Sequence, residues 1–141
     1  MSEHVTDSAA RTQALAAELA STLVSGDIVL LSGDLGAGKS TFVRGAALAL
    51  GVAEPVTSPT FTLGNLYQTD REYLLAHLDL YRLGGLATED PDLLADYVGP
   101  HAVAFVEWPG VGEHALADLG TVRYRIHLAH AGGDQRTITV L

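Results

Sequence analysis

Cysteine is absent from this 141-residue chain, and lysine occurs once, at Lys39. Without cysteine there are no disulfides and no cysteine-ligated zinc, which suits a reducing compartment. The six histidines show no H-E-x-x-H or comparable ligand spacing, so zinc chemistry has no support either. No uninterrupted apolar stretch approaches the roughly 18 residues of a membrane span. Glu3, His4 and Asp7 stand where a secretory signal places basic and then apolar residues. These features predict a soluble, cytoplasmic protein that does not engage a membrane. Positive charge is scarce as well: 8 basic residues face 17 acidic ones, for a net charge of −9. Such a field repels polyanions, so direct nucleic-acid binding is not expected.

What is present suffices for one core. Hydrophobic residues make up 48% and charged residues 18%, with no internal repeat, which predicts a single globular domain over residues 1–141. Residues 8–24 carry Leu15, Leu19 and Leu23 four apart, with Asp7 or Ser8 as candidate N-caps and Gly26 as a stop, the pattern of an amphipathic helix. Asp27 to Ser32 is a continuous apolar run of the kind that forms a strand covered on both faces. A glycine loop follows it, and then a second helical segment in which Phe42, Ala46 and Ala49 share a face before Gly51. Residues 52–60 read as a connecting loop. Phe61 to Thr69 and Tyr73 to Leu83 flank the polar tip Asp70-Arg71-Glu72 and predict an antiparallel hairpin, which makes the sheet mixed. Residues 89–98 predict a short helix packing Leu93, Leu94 and Tyr97. Ala102 to Val106 is a second continuous apolar strand. Val122 to Ala129 and Thr137 to Leu141 surround Gly132-Gly133-Asp134 and predict a closing hairpin.

Gly33 to Ser40 satisfies G-x-x-x-x-G-K-[ST], between a strand and a helix, the context that gives the string its meaning. With one lysine in the chain, chance is a poor explanation. Glycines let the backbone curl so that consecutive N–H groups face phosphate oxygens, and the following helix adds its positive dipole end. Lys39 contributes a point charge there, and the Ser40 hydroxyl is placed for Mg²⁺. Such a metal also needs an acid at the end of a neighbouring apolar strand. Asp79 and Glu107 both qualify: Glu107 is assigned mainly to the metal or its waters and Asp79 to orienting water or metal, roles that the sequence alone leaves exchangeable. Ser58-Pro59-Thr60 sits where nucleotide switches place a hydroxyl that senses the γ-phosphate, although a plain turn explains it equally. Trp108 reads as a nucleotide neighbour, a partner contact or a core residue. Arg44 and Arg82 are either cis arginine fingers or partners of surface acids. His77 reads as structural. The acids Glu89, Asp90, Asp92 and Asp96 read as a solvated helix start or, less simply, a docking face.

GDLGAGKST (residues 33–41), SPTF (58–61), HLDLYRL (77–83) and VEWP (106–109), in this order and spacing, resemble the bacterial TsaE (YjeE) ATPases of tRNA threonylcarbamoyladenosine biosynthesis. The resemblance implies an α/β fold, a single P-loop NTPase domain whose mixed, mostly parallel sheet is flanked by helices. It implies ATP and Mg²⁺ as ligands, weak intrinsic hydrolysis controlled by the partner proteins TsaD and TsaB, and a role in resetting the modifying synthetase between turnovers. Carried onto this sequence, the nucleotide site comprises Asp34, Leu35, Gly36, Ala37, Gly38, Lys39, Ser40 and Thr41. Ser40 and Glu107 are the metal ligands, and Lys39, Asp79 and Glu107 the catalytic set. Thr60 is the switch threonine and Trp108 a further nucleotide-site position. Thr12, near the first helix, and Arg136, in the C-terminal hairpin, complete the candidates. Readings as a small-molecule kinase or as a non-catalytic, nucleotide-dependent scaffold compete with the ATPase.

Overall fold

A computed structural model describes residues 2–34, 36–57, 64–80, 91–107 and 113–141. Along the chain these form β1 (Ser2–Thr6), α1 (Ala9–Ala20), β2 (Asp27–Gly33), α2 (Lys39–Ala49), β3 (Gly64–Tyr67), β4 (Leu74–Asp79), α3 (Pro91–Ala95), β5 (Ala102–Glu107), α4 (Glu113–Leu119), β6 (Thr121–His130) and β7 (Arg136–Val140). One seven-stranded sheet results, in the order β1-β7-β6-β2-β5-β4-β3. The inner pairings of β2 with β6 and β5, and of β4 with β5, are parallel. The outer pairings of β1 with β7, β6 with β7 and β3 with β4 are antiparallel. "Mostly parallel" therefore describes the centre of the sheet and not its edges, because the hairpins β3–β4 and β6–β7 and the N-terminal strand β1 pair antiparallel.

The continuous apolar runs at β2 and β5 are explained by layers on both faces. Val29, Leu31, Val103 and Phe105 point to the side covered by α1 and α2, where Leu15, Leu23, Phe42 and Ala46 join them. Ile28, Leu30, Ala104 and Val106 point to the other side, against Leu94 and Leu116 from the short helices α3 and α4. Each large apolar side chain buried in this way contributes about 1.5–3 kcal/mol. Tyr97 packs at the edge of the second layer, whereas the Leu93 side chain lies outside the described ones. Ala49 and Leu19 pack at the edge of the first.

Ser8 is the N-cap of α1, its hydroxyl accepting from the Arg11 N–H at 3.2 Å. Just before it, the Thr6 and Thr12 hydroxyls share a buried 2.7 Å hydrogen bond that ties β1 to the first helix. The two long helices touch at Gly45, where a β-carbon would stand 2.5 Å from the Gln13 Cα. The strand β1 and the helix α4 were not anticipated from sequence. Among the described residues, no helix is long and apolar enough to cross a membrane.

Candidate functional site

β2 leaves the sheet at Gly33, and α2 begins at Lys39. Between them Gly33, Gly36 and Gly38 hold φ angles of +144°, +80° and +105°, a region that side chains other than hydrogen rarely enter. Gly33 has a second constraint, since a β-carbon there would lie 2.3 Å from the Leu128 carbonyl oxygen of β6. The Ala37 N–H donates to the Asp34 carbonyl at 3.0 Å, closing a tight turn, and the Ala37 side chain is buried in the core. Among the described residues no side chain caps the N-terminus of α2 at Gly38, and a helix start carries the positive end of the helix dipole. Lys39 folds back across the loop, its Nζ donating to the Gly33 carbonyl at 2.5 Å. Ser40 and Thr41 occupy the first turn, half-buried, while Asp34 is exposed.

Two carboxylates meet this loop from the neighbouring strands. Asp79 ends β4 and Glu107 ends β5, and the two are paired in register in the parallel ladder. Leu31, two residues before the loop, pairs with Glu107 on its other side. Asp79 and Glu107 are 7% and 6% exposed. Strand alternation places both on the α1–α2 side, with Leu75, Val103 and Phe105 two and four residues earlier on the same face. Glu107 Oε2 accepts from His77 Nε2 at 3.0 Å. His77 is fully buried, and its Nδ1 has no hydrogen-bond partner among the described residues. A buried polar atom left in this way costs about 1–3 kcal/mol.

A cavity of about 140 Å³ opens on the other flank of the loop. Ser8 and Thr12 of α1, Gly36 and Gly38 of the loop, Thr41 of α2, and Asp134 and Arg136 of the closing hairpin line it. Arg136 Nη1 donates to the Gly133 and Gln135 carbonyls at 3.0 and 2.9 Å, and its Nη2 reaches the Gly36 carbonyl at 3.5 Å. The hairpin is thereby braced against the loop. Thr12 presents to this cavity from beneath its bond to Thr6.

The structure thus gathers Asp34, Gly36, Ala37, Gly38, Lys39, Ser40, Thr41, Asp79 and Glu107 at one end of the sheet, and sets Thr12 and Arg136 beside the loop. Leu35, Thr60, Arg82 and Trp108 lie outside the described residues, as do Glu89 and Asp90 of the acidic segment. Arg44 Nε donates to the Val56 carbonyl at 3.2 Å, tying α2 to the loop that follows it. Sequence reasoning missed the pairing of His77 with Glu107 and the place of Asp134 on the cavity. His77 stands two residues before Asp79 on the same strand face, a signal that strand parity carries.

The donor set can be tested against Mg²⁺. This cation takes hard oxygen ligands, usually one or two carboxylates together with substrate phosphates and waters. Two carboxylates and a serine hydroxyl at the same end of the sheet as the glycine loop fit that preference. The described residues contain no group of three or more His, Asp or Glu side chains that could hold a metal ion by themselves.

Comparison with known proteins shows the family. The profile of the family described as "Threonylcarbamoyl adenosine biosynthesis protein TsaE" matches residues 6–138. A Streptomyces coelicolor protein, tRNA threonylcarbamoyladenosine biosynthesis protein TsaE, is 41% identical over 121 residues, covering 85% of this chain and 80% of its own. The Bacillus subtilis protein of the same description is 40% identical over 129 residues, covering 91% and 77%. Among solved structures, the crystal structure of Bacillus subtilis YdiB superposes with a TM-score of 0.72 at 34% identity, covering 99% of this chain and 83% of that one.

Proposed function

This chain belongs to the TsaE family of threonylcarbamoyl adenosine biosynthesis proteins, and from that premise we propose that it binds ATP with Mg²⁺ and hydrolyses it in support of tRNA threonylcarbamoyladenosine formation. One observation carries the reading: an anion-binding loop with its lysine and two buried, register-paired carboxylates converge at the same end of the sheet. Loop N–H groups and the start of α2 bind the β- and γ-phosphate oxygens. Lys39 exchanges the Gly33 carbonyl for a phosphate oxygen, an exchange that needs only side-chain rotation. Ser40 and Glu107 are the residues that hold Mg²⁺, directly or through water. When bound with the triphosphate, the cation supplies neutralisation of the charge shared by the phosphoryl oxygens. Asp79 orients the attacking water in line with the leaving oxygen, and Thr12 and Arg136 receive the nucleoside end in the flanking cavity.

Hydrolysis of this kind is slow without help and is stimulated by TsaB and TsaD, which use it to reset the synthetase. The net charge of −9 supports a role exercised through protein partners in place of direct tRNA contact. The test is ATP turnover by the purified chain, alone and with purified TsaB and TsaD. Stimulation by the partners is expected, together with loss of turnover by about 100-fold or more in Glu107→Ala while nucleotide binding persists. Turnover by Glu107→Ala equal to that of the parent, or no Mg²⁺-dependent nucleotide binding by the parent, overturns the reading.

A further inference from the structure

Packing does not explain His77. Leu75 precedes it on the same face of β4, and Val103 and Phe105 line the adjoining face of β5, so an apolar side chain would continue this core without stranding a nitrogen. Instead the imidazole is fully buried and, among the described residues, makes one hydrogen bond, to Glu107. His77 pairs in register with Phe105, whereas Glu107 pairs with Asp79. The contact is therefore diagonal, and the Glu107 carboxylate is drawn back toward a strand position about 7 Å deeper in the sheet. A glutamate at a strand end has three side-chain torsions to fix, and this bond restricts them. It also distinguishes the two oxygens, since Oε2 receives the His77 hydrogen and Oε1 does not.

We propose that His77 is a positioning residue for the nucleotide-bound cation: its Nε2–H fixes the Glu107 carboxylate so that Oε1 is the oxygen offered to Mg²⁺ or to a water on it. This inference rests on the assignment of Glu107 to the metal made above. A neutral imidazole carries one ring hydrogen. With that hydrogen on Nε2, Nδ1 is left as a bare acceptor, and the core strands a lone pair in place of an N–H.

Two measurements test it. In the ¹⁵N-labelled parent protein, long-range ring correlations should show His77 with its hydrogen on Nε2, the signal being identified by its loss in His77→Leu. A ring hydrogen found on Nδ1 alone overturns the proposal, because Nε2 then has nothing to donate. In the second, ADP affinity is followed by calorimetry at increasing Mg²⁺ for the parent, His77→Leu, His77→Gln and Glu107→Gln. The Mg²⁺ concentration for half-maximal effect should rise about 10–100-fold in His77→Leu and partly recover in His77→Gln, which keeps a donor. ADP affinity measured in chelator should be equal in the parent, His77→Leu and His77→Gln. A raised requirement in Glu107→Gln with a parental one in His77→Leu overturns the positioning role alone. A parental requirement in both removes Glu107 from the metal, and the proposal falls with that assignment.

Discussion

Gly33 lies so close to Leu128 that a β-carbon on it would stand 2.3 Å from the Leu128 carbonyl oxygen. The phosphate loop is thus seated on β6 at its first residue, where φ is +144°. Gly33→Ala meets strain and a backbone clash together. Its cost should exceed the roughly 1–3 kcal/mol of the strained dihedral, read as a lowered midpoint in urea denaturation. A loss within the roughly 0.5 kcal/mol typical of surface changes contradicts this seating.

Lys39 donates to the Gly33 carbonyl and is proposed above to bind phosphate. Its removal costs binding more than stability. Lys39→Ala should weaken ATP binding by about 10–100-fold, the worth of a hydrogen bond from a charged donor, and leave the thermal midpoint close to the parent's. Calorimetry and thermal unfolding on the same samples separate the two effects.

Much of this was legible before any coordinates. The runs at 28–31 and 102–106 are apolar at every position because both faces of β2 and β5 are covered, and periodicity reports that directly. Turn residues at 70–72 and 132–134 marked the hairpins. β1 escaped notice because its apolar residue, Val5, is 64% exposed; its strand conformation comes from pairing with β7 at the far end of the chain. α4 has one buried anchor, Leu116, in seven residues, too few to set a period. Asp79 and Glu107 were recognisable as strand-end acids, but their adjacency depends on β4 lying beside β5. That neighbourhood, and with it the bond from His77, is a non-local fact that no window of sequence contains.

Arg136 braces the β6–β7 turn against Gly36 and lines the cavity with Thr12. Arg136→Ala should weaken nucleotide binding by about 2–10-fold, the range of one ordinary hydrogen bond. Arg71→Ala, at the β3–β4 turn, serves as the control and should leave affinity unchanged. Equal effects of the two changes would assign the Arg136 loss to general electrostatics.

Among the described residues, Tyr73 has its acidity shifted by its surroundings. Burial is the main cause of its raised pKa; nearby Arg71 lowers it, and Asp70 and Asp27 raise it. A phenol whose folded pKa lies above its unfolded value near 10 favours folding fully below that value. The contribution disappears as pH rises through the folded pKa, because the unfolded chain releases its proton first. Alkaline titration of tyrosinate absorbance should therefore contain a late component from Tyr73, and Tyr73→Phe should delete it. A titration curve unaltered except in amplitude counts against the burial effect.

Asp79 and Glu107 are register partners, so their different assignments must come from their surroundings, and Glu107 is the one held by His77. Removing each charge separately should expose the difference. Glu107→Gln should raise the Mg²⁺ concentration needed for turnover and lower kcat. Asp79→Asn should lower kcat by about 100-fold, as expected when a group that orients or deprotonates water is lost, with the Mg²⁺ requirement kept near the parent's. Steady-state rates across a Mg²⁺ series at saturating ATP measure both quantities at once. If Asp79→Asn carries the raised Mg²⁺ requirement and Glu107→Gln does not, the two carboxylates exchange roles: the water-orienting residue is then the one anchored in the core, and the cation is held by the one at the end of β4.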